Sequence, residues 1–455
     1  MKKLPVMLIF DIGKTNKKLL LFDEDYHVVH ETSIQLNETT DEDNFPCEDV
    51  LALTHWMKDS FNIIAQDNRF NIRAINFSGY GASFVLLDEK LKPILPLYNY
   101  LKPYPEQLQQ QFYNTYGGQS LITKQTASPV LGSLNSGMQL YRLKYERPEI
   151  FKKIKYALHL PQYLSFIFTG KVYSEVTSIG CHTHLWNFQQ QQYHKWVIKE
   201  GVDTLLPPIV NSNTIGGYIN KNILVGVGLH DSSAALIPYH SSFTEPFVLL
   251  STGTWCISLN PFNHTSLSDE ELKNDCLMYL SYKGEAIKAS RLFAGHEFNE
   301  QVNRIATYFH QSKEKYFSLL FDKKILDKCI KYERQKRMEN QLKSFQQRNL
   351  SEFENDVEAY YQLLINLVTV QVASTQLILK VSPVKKLFVD GGFSSNVLFM
   401  KLLADSFPQM SVYAAEVPQA AALGAALIMH EHWNKKSFPE KFIQLKRYFP
   451  SSQSS

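Results

Sequence analysis

Two short segments near opposite ends of the chain carry residue types that handle phosphate. Met7-Leu8-Ile9-Phe10-Asp11-Ile12-Gly13-Lys14-Thr15-Asn16 is an apolar run ending in Asp, then Gly, then a cation and a hydroxyl. Lys386-Leu387-Phe388-Val389-Asp390-Gly391-Gly392-Phe393-Ser394 follows the same plan. A buried strand that stops at a carboxylate and a tight turn puts that carboxylate at the sheet's edge. The glycines there let main-chain N–H groups approach phosphate oxygens. An Asp so placed can hold Mg²⁺, usually through water, and Lys14 and Lys18 add positive charge beside a transferring group. An Asx turn closing a hairpin would use Asp11 equally well, and Gly-Gly pairs are common in turns. The same plan at both ends implies two similar half-molecules closing on one nucleotide.

Two further segments have chemical content. Gly226-Val227-Gly228-Leu229-His230-Asp231 ends a Gly-rich strand and opens the Ala-rich stretch Ser232-Ser233-Ala234-Ala235. Asp231 suits a helix N-cap. It also suits a general base, because a carboxylate near a helix N-terminus stays ionised and can accept a hydroxyl proton. Ser251-Thr252-Gly253-Thr254 follows the apolar run 247–250. Its hydroxyls and exposed amides suit β- and γ-phosphates, or a plain hairpin turn.

The elements that must position these residues can be read from pattern. Leu4–Phe10, Lys18–Phe22 and Val28–Ser33 read as an antiparallel meander. A helix around Cys47–Asn68 and a strand at Ile72–Phe77 follow, then Ser78-Gly79-Tyr80-Gly81. Strands leading into alternating helix and strand indicate an α/β domain with a mixed sheet. Ser241–Pro246 reads as a linker, dividing the chain into domains 1–240 and 241–455. The charged, Gln-rich stretch Asn299–Asn349 reads as a solvated helical insertion. Ser351 with Glu354 has the form of a capping box and is expected to start the next helix. The apolar stretch Leu363–Val381 is interrupted by Asn366, Gln371, Ser374 and Gln376, so it reads as a buried helix and not a membrane span.

Composition narrows the class. The 455 residues are 44% hydrophobic and 20% charged, ordinary for a globular chain. A net charge of +3 does not argue for nucleic acid or an anionic membrane as partner. The five cysteines are scattered without a CxxC pair, so neither a zinc site nor a disulfide framework is expected, and a reducing cytoplasm is the simplest home. Met1-Lys2-Lys3 and the run after it imitate a signal peptide, but the run stops at Asp11 and reads as a first strand. His182 and His184, read as alternate residues of a strand, would share one face. No Cys or third His stands at ligand spacing nearby, so a sugar hydroxyl or plain packing is the expected use.

Taken together, these segments resemble the FGGY family of carbohydrate kinases, within the actin-like ATPase superfamily, over nearly the whole chain. Phe10-Asp11-Ile12-Gly13-Lys14-Thr15 resembles the family's opening phosphate motif. Gly228-Leu229-His230-Asp231 resembles the stretch ending in its catalytic Asp, and Ser251–Trp255 its second phosphate motif. Asp390-Gly391-Gly392-Phe393-Ser394-Ser395-Asn396 with Ala421-Ala422-Leu423-Gly424-Ala425-Ala426 is similar to its adenosine signature. Three departures stand out: Lys14 where many members have Thr, Tyr98-Asn99-Tyr100 where many have Trp, Asp or Asn, then Arg, and Gln419 where Glu is usual.

The resemblance implies two ribonuclease H-like α/β domains with a cleft between them. It implies transfer of the γ-phosphoryl of MgATP to a hydroxyl of a small sugar, a ketose such as L-fuculose, L-rhamnulose or xylulose. Asp231 would be the base and Asp11 the Mg²⁺ ligand. Gly79, Tyr80, Asn99 and His182, with Asp231, would meet the sugar. Gly13, Lys14, Thr15, Asn16, Gly253, Thr254, Gly295, Gly391, Gly392, Phe393 and Asn396 would meet the nucleotide. Neither nucleic acid nor membrane is an expected partner, and a homodimer is compatible with the sequence. The competing readings are a catalytically silent ATP- and sugar-binding sensor of the same fold, and a nuclease, which the near-neutral charge disfavours.

Overall fold

The computed structural model describes residues 3–338, 343–417, 419–438 and 442–450; residues 339–342 of the expected insertion lie outside them. The first strand shows why its residues were chosen. β1 (Leu4–Ile12) is the axis of a mixed sheet. Val6, Leu8, Phe10 and Ile12 enter one core, while Met7 and Ile9 enter another on the opposite face. A strand covered on both faces needs a near-continuous apolar run. β2 (Lys17–Phe22) and β3 (Val28–Ile34) complete the meander, followed by helix α1 (Val50–Gln66). β4 (Phe70–Gly79) then lies parallel to β1, with Asp11 opposite Ser78. Helix α2 (Leu160–Thr169) covers the same face as α1. β5 (Ile215–Ile219), β6 (Ile223–Gly226) and β7 (Leu229–His230) finish the sheet in the order β5-β6-β4-β1-β2-β3, with β7 beside β4. Helix α3 (Asp231–Ala235) starts where β7 stops.

The second sheet repeats the topology. β8 (Phe247–Thr252) pairs antiparallel with β9 (Cys256–Asn260), then β10 (Cys276–Leu280) and β11 (Ala286–Leu292) follow. Helix α4 (Ala294–Tyr308) and helix α5 (Asp356–Leu379) precede β12 (Lys386–Gly391), which lies parallel to β8. Helix α6 (Val397–Ser406), β13 (Ser411–Glu416), helix α7 (Ala420–Leu427) and β14 (Gln444–Tyr448) end the domain. The strand order is β10-β11-β9-β8-β12-β13-β14. The two ribonuclease H-like halves expected from the sequence are therefore present, each built on a hairpin and a parallel strand.

Several sequence expectations need correction. Asp11 and Asp390 are not equivalent positions: Asp11 ends the first strand of its sheet, whereas Asp390 lies on the parallel neighbour, opposite Ser251. The two halves carry the same Asp–Ser pair with the partners exchanged. The capping-box reading at Ser351 also fails. Helix α5 is capped by Asn355, whose side chain accepts from the Glu358 N–H at 3.0 Å. A capping box does exist nearby, Asn349 with Glu352, but it closes a three-residue turn. The 299–349 stretch is not wholly solvated: Ile305, Tyr316, Leu326, Cys329 and Phe345 enter the second domain's core. Helix α5, long and apolar enough to cross a membrane, lies against the same core through Leu363, Leu364, Leu367 and Ile378.

The two domains are joined by packing as well as by the chain. Helix α7 belongs to the second domain by sequence, yet Ala422, Leu423, Ala425 and Ala426 pack on Met7, Ile9 and Leu20 of the first sheet. Beyond it, the His430 ring meets the Tyr26 hydroxyl at 2.7 Å and Asn434 donates to the Glu24 carbonyl at 2.9 Å. Helix α7 also crosses α3 so closely that a Cβ on Gly424 would lie 1.9 Å from the Ala234 carbonyl oxygen. We expect Gly424→Ala to force these backbones apart and destabilise the protein by about 1–3 kcal/mol, the usual cost of overpacking. Equilibrium urea unfolding checks this, and an unchanged midpoint would mean the crossing is not tight.

Candidate active site

The two hairpin turns face each other across the interdomain cleft. The β1–β2 turn is closed by the Gly13 N–H donating to the Asn16 carbonyl at 3.0 Å. The β8–β9 turn is closed by the Gly253 N–H donating to the Trp255 carbonyl at 3.0 Å. Between them lies a cavity of about 340 Å³ whose walls include Lys14, Thr15, Asp231, Gly253 and Thr254. Tyr80 and His182 line its first-domain side, and Tyr279 and Arg291 its second-domain side.

Asp231 is the first residue of α3, not its cap; His230 occupies the cap position and makes no side-chain capping bond. The Asp231 carboxylate accepts from the Ser232 N–H at 2.6 Å. Its Oδ1 also lies 3.3 Å from His230 Nε2, which in turn is 3.1 Å from Cys181 Sγ. Burial pushes the Asp231 carboxyl up to about 6. Asp11 is likewise pushed up to about 6, first by burial and then by the negative charge of Asp231. The Asp231 charge adds to the proton affinity of Asp11, which makes no ion pair among the described residues, a charge balance that a divalent cation held by Asp11 would relieve. The surrounding imidazoles offer no counter-charge: burial pushes His230 and His159 down to about 3, and holds His182 neutral.

The second cavity, about 300 Å³, continues from the Gly253 turn into the second domain. Its walls include Gly295, Phe298, Phe317, Gly392, Phe393 and Asn396. The Phe393 N–H donates to the Thr252 hydroxyl at 3.0 Å, locking the loop after β12 to the end of β8. Asn396 is engaged twice: it caps α6 by accepting from the Phe399 N–H at 3.0 Å, and donates to the Tyr360 hydroxyl at 2.8 Å. Gly295 and Gly391 are required by sterics. A Cβ on Gly295 would lie 1.8 Å from the Gly253 carbonyl oxygen, and Gly391 has φ +79° with its Cβ direction 2.1 Å from the Thr252 carbonyl oxygen. Gly392 differs, since the nearest atom to its Cβ position is 3.9 Å away.

The sequence readings are distributed as follows. Tyr80, His182, Lys14, Thr15, Gly253, Thr254 and Asp231 meet at the first cavity, and Gly295, Gly392, Phe393 and Asn396 at the second. Gly79 lines neither cavity; a Cβ there would meet the Pro161 ring at 3.3 Å, and the cavity wall is Gly81. Gly13, Asn16 and Gly391 shape the turns from behind. Asn99 lies outside the Asp231 cavity, in an adjoining one of about 400 Å³ shared with Lys14 and Thr15. Its Oδ1 accepts from the Leu101 N–H at 3.0 Å, the form of an Asx turn. The strand reading of His182 and His184 is wrong. Both have positive φ, 40° and 61°, so they diverge. His182 reaches the cavity, while His184 is buried against the Tyr113 and Thr126 hydroxyls, 3.0 Å from each.

Sequence reasoning missed Arg291, Tyr279 and Gly81. Arg291 sits over the Trp255 ring at 4.8 Å and pairs with Asp275 at 2.9 Å. Tyr279 stacks on His230 at 5.6 Å. Both come from strands β10 and β11, and no spacing along the chain ties them to the phosphate turns. Gly81 stood beside residues already singled out. The 2.9 Å from its Cβ position to Cys181 Sγ and the His230 ring marks the close approach that needs glycine.

Comparison with known proteins agrees with this geometry. Residues 6–236 match the N-terminal domain of the FGGY family of carbohydrate kinases, and residues 244–437 match the C-terminal domain of FGGY carbohydrate kinases. The chain is 27% identical over 257 residues to a rhamnulokinase of Halalkalibacterium halodurans, covering 54% of this chain and 52% of that one. It is 27% identical over 179 residues to a probable L-xylulose kinase of Pasteurella multocida, covering 36% of this chain and 35% of that one. The chain thus spans about half or less of the curated relatives it matches. The crystal structure of a carbohydrate kinase from Novosphingobium aromaticivorans superposes with a TM-score of 0.77 at 22% identity, over 97% of this chain and 96% of that one.

Gly392 provides a clean probe of the second cavity, because a side chain there fits the fold but enters the cavity. We expect Gly392→Val to weaken binding of a non-hydrolysable ATP analogue at least tenfold by calorimetry, with thermal stability unchanged. Wild-type affinity in that variant would remove this loop from the nucleotide site.

Proposed function

The chain belongs to the FGGY family of carbohydrate kinases, and on that premise we propose that it transfers the γ-phosphoryl group of ATP to a hydroxyl of a small sugar, a ketose. The observation that carries this reading is Asp231 in one cavity with Lys14 and Thr15 from the first domain and Gly253 and Thr254 from the second. The relatives named a rhamnulokinase and a probable L-xylulose kinase support a ketose as acceptor. L-Rhamnulose, L-fuculose and xylulose are the first compounds to test. A kinase consuming ATP and a free sugar belongs in the cytoplasm.

Asp231 takes the proton of the sugar hydroxyl as its oxygen attacks the γ-phosphorus, and ADP departs with the electrons of the broken P–O bond. A base with a pKa near 6 is ionised at neutral pH yet still basic enough to help. The N–H groups of the two turns and the Lys14 ammonium hold the phosphates in line. Tyr80 and His182 position the sugar; with Nδ1 2.9 Å from the Leu134 carbonyl, the neutral His182 ring donates there and leaves Nε2 free to accept from a sugar hydroxyl. Asn99, through its Nδ2, contributes from the adjoining cavity. Phe393 and Asn396 border the adenosine, with Gly295 and Gly392 forming its wall. Mg²⁺ held by Asp11 would neutralise the charge developing on the transferring group. Closure of the two domains excludes water, which limits wasteful ATP hydrolysis.

A panel of ketoses and polyols with MgATP, read by coupled ADP release, tests the reading; no sugar-dependent release with any of them would overturn it. With the preferred sugar, Asp231→Asn should lower kcat by about 10²–10⁴-fold with sugar affinity retained. A base works only when deprotonated, so wild-type kcat/KM should fall as pH drops through about 6. A flat profile between pH 5 and 7 would exclude Asp231 as the base. Asp11→Asn should raise the Mg²⁺ concentration needed for half-maximal turnover, and an unchanged metal titration would take Asp11 out of the metal site.

A further inference from the structure

Glu48 is a buried carboxylate that sequence patterning gives no reason to single out. It ends a short strand, Pro46–Glu48, and its N–H donates to the Leu97 carbonyl at 3.2 Å. That bond fixes the chain entering Tyr98-Asn99-Tyr100, the segment on the sugar side of the cleft. The Glu48 carboxylate points the other way, toward the phosphate turn. It accepts from Lys17 Nζ at 3.0 Å and lies 3.6 Å from Lys14 Nζ. Lys17, itself buried, uses a second N–H to hold the Lys14 carbonyl at 2.8 Å. One residue therefore grips the phosphate turn through its side chain and the sugar-side segment through its backbone.

The two lysines have different freedoms. Lys17 is enclosed and has Glu48 as its counter-charge. Lys14 is partly exposed, lines the cleft, and has a nearer partner in the exposed Glu38 at 2.8 Å, on the short strand that pairs with the Glu48 strand. An arriving phosphate can draw Lys14 from the exposed Glu38 while Lys17 and Glu48 stay paired and the turn stays in place. The Tyr80 hydroxyl, at the cavity wall, also faces this cluster. Burial, and after it the Glu48 charge, holds it protonated.

We propose that Glu48 is the positioning residue that couples the phosphate side of the cleft to its sugar side. It fixes the 13–17 turn through Lys17 and the 98–101 segment through its own main chain. This deepens the kinase reading and rests on it for the kinetic arm of the test only. Removing the charge leaves Lys17 buried without a counter-charge, which a folded protein relieves by moving the lysine and the turn it holds. Misplacement of reacting groups by about 1 Å costs on the order of 100-fold in rate.

The test compares wild type, Glu48→Gln and Glu48→Asp. Amide hydrogen exchange in Glu48→Gln should quicken in residues 13–17 and 98–101 together, with the rest of the first sheet unchanged. Glu48→Asp, which keeps the charge, should restore most of that protection. With the preferred sugar, Glu48→Gln should lower kcat by about 10- to 100-fold, and a non-hydrolysable ATP analogue should tighten sugar binding in wild type but not in Glu48→Gln. Quickened exchange in only one of the two segments, in neither, or throughout the first domain would overturn the proposal. Should Glu48→Gln not fold, Glu48→Asp carries the test alone: slight quickening in both segments together supports the proposal, and quickening in one alone, in neither, or throughout the first domain overturns it. If no sugar is phosphorylated by wild type, the kinase reading fails and the exchange arm still decides the role of Glu48.

Discussion

Much of this molecule depends on the crossing of two short helices at Gly424 and Ala234. The first helix begins with Asp231 and the second is laid on the first domain's sheet by the chain returning from the second domain. With no side chain on Gly424, backbone meets backbone. That contact sets where Asp231 stands relative to β1 and to the Gly253 turn. The asymmetry matters: the base belongs to the first domain by sequence, but a helix of the second domain supports the element that carries it.

Given that frame, the electrostatics of the cleft follow from what is kept out. Asp11, Asp231 and Asp390 all have raised proton affinity, with burial the largest cause in each. The neighbouring imidazoles are held neutral by the same desolvation. The cations near the carboxylates are already engaged: Lys14 and Lys17 by Glu38 and Glu48, and Lys18 by Gln419 and Glu31. Such a site is short of positive charge next to its acids, which is the condition a divalent cation would relieve. The Gln419 departure is intelligible in these terms. Its Oε1 accepts from Lys18 at 2.9 Å while its Nε2 donates to Glu31 at 3.2 Å, a pairing that a carboxylate at this position could not make with Glu31.

The two halves show how one topology is put to different uses. Each has a hairpin turn at the cleft and a parallel strand beside it, and each has one Asp and one Ser in register at that point. In the first half the Asp is on the hairpin strand, beside the cavity that holds the base. In the second it is on the parallel strand, where the Tyr239 hydroxyl donates to it at 3.1 Å and the Thr252 hydroxyl donates to its carbonyl. Asp390 thereby braces the turn leading into the Gly391-Gly392 loop. The exchange puts the carboxylate on the hairpin strand in one half and on its parallel neighbour in the other.

Chain-local physics made much of this legible. The apolar run 4–12 had to be a doubly covered strand, the Asp–Gly endings had to be turns, and Asp231 had to open a helix; hydrophobic period and glycine geometry determine such features within a few residues. The family resemblance rested on the same segments. What sequence could not give was decided by contacts between distant segments. His182 and His184 part because their backbone is left-handed, a choice made by the core around Tyr113 and Thr126 and by the cleft wall. Asn99 is drawn into a turn, and Gly81 instead of Gly79 forms the wall. Arg291, Tyr279 and Glu48 reach the cleft only because strands from separate stretches are laid side by side. Proximity across a fold leaves no mark in spacing along a chain, so sequence alone determined the strands, turns and chemistry-bearing residues, and tertiary packing decided which of them face the same cavity.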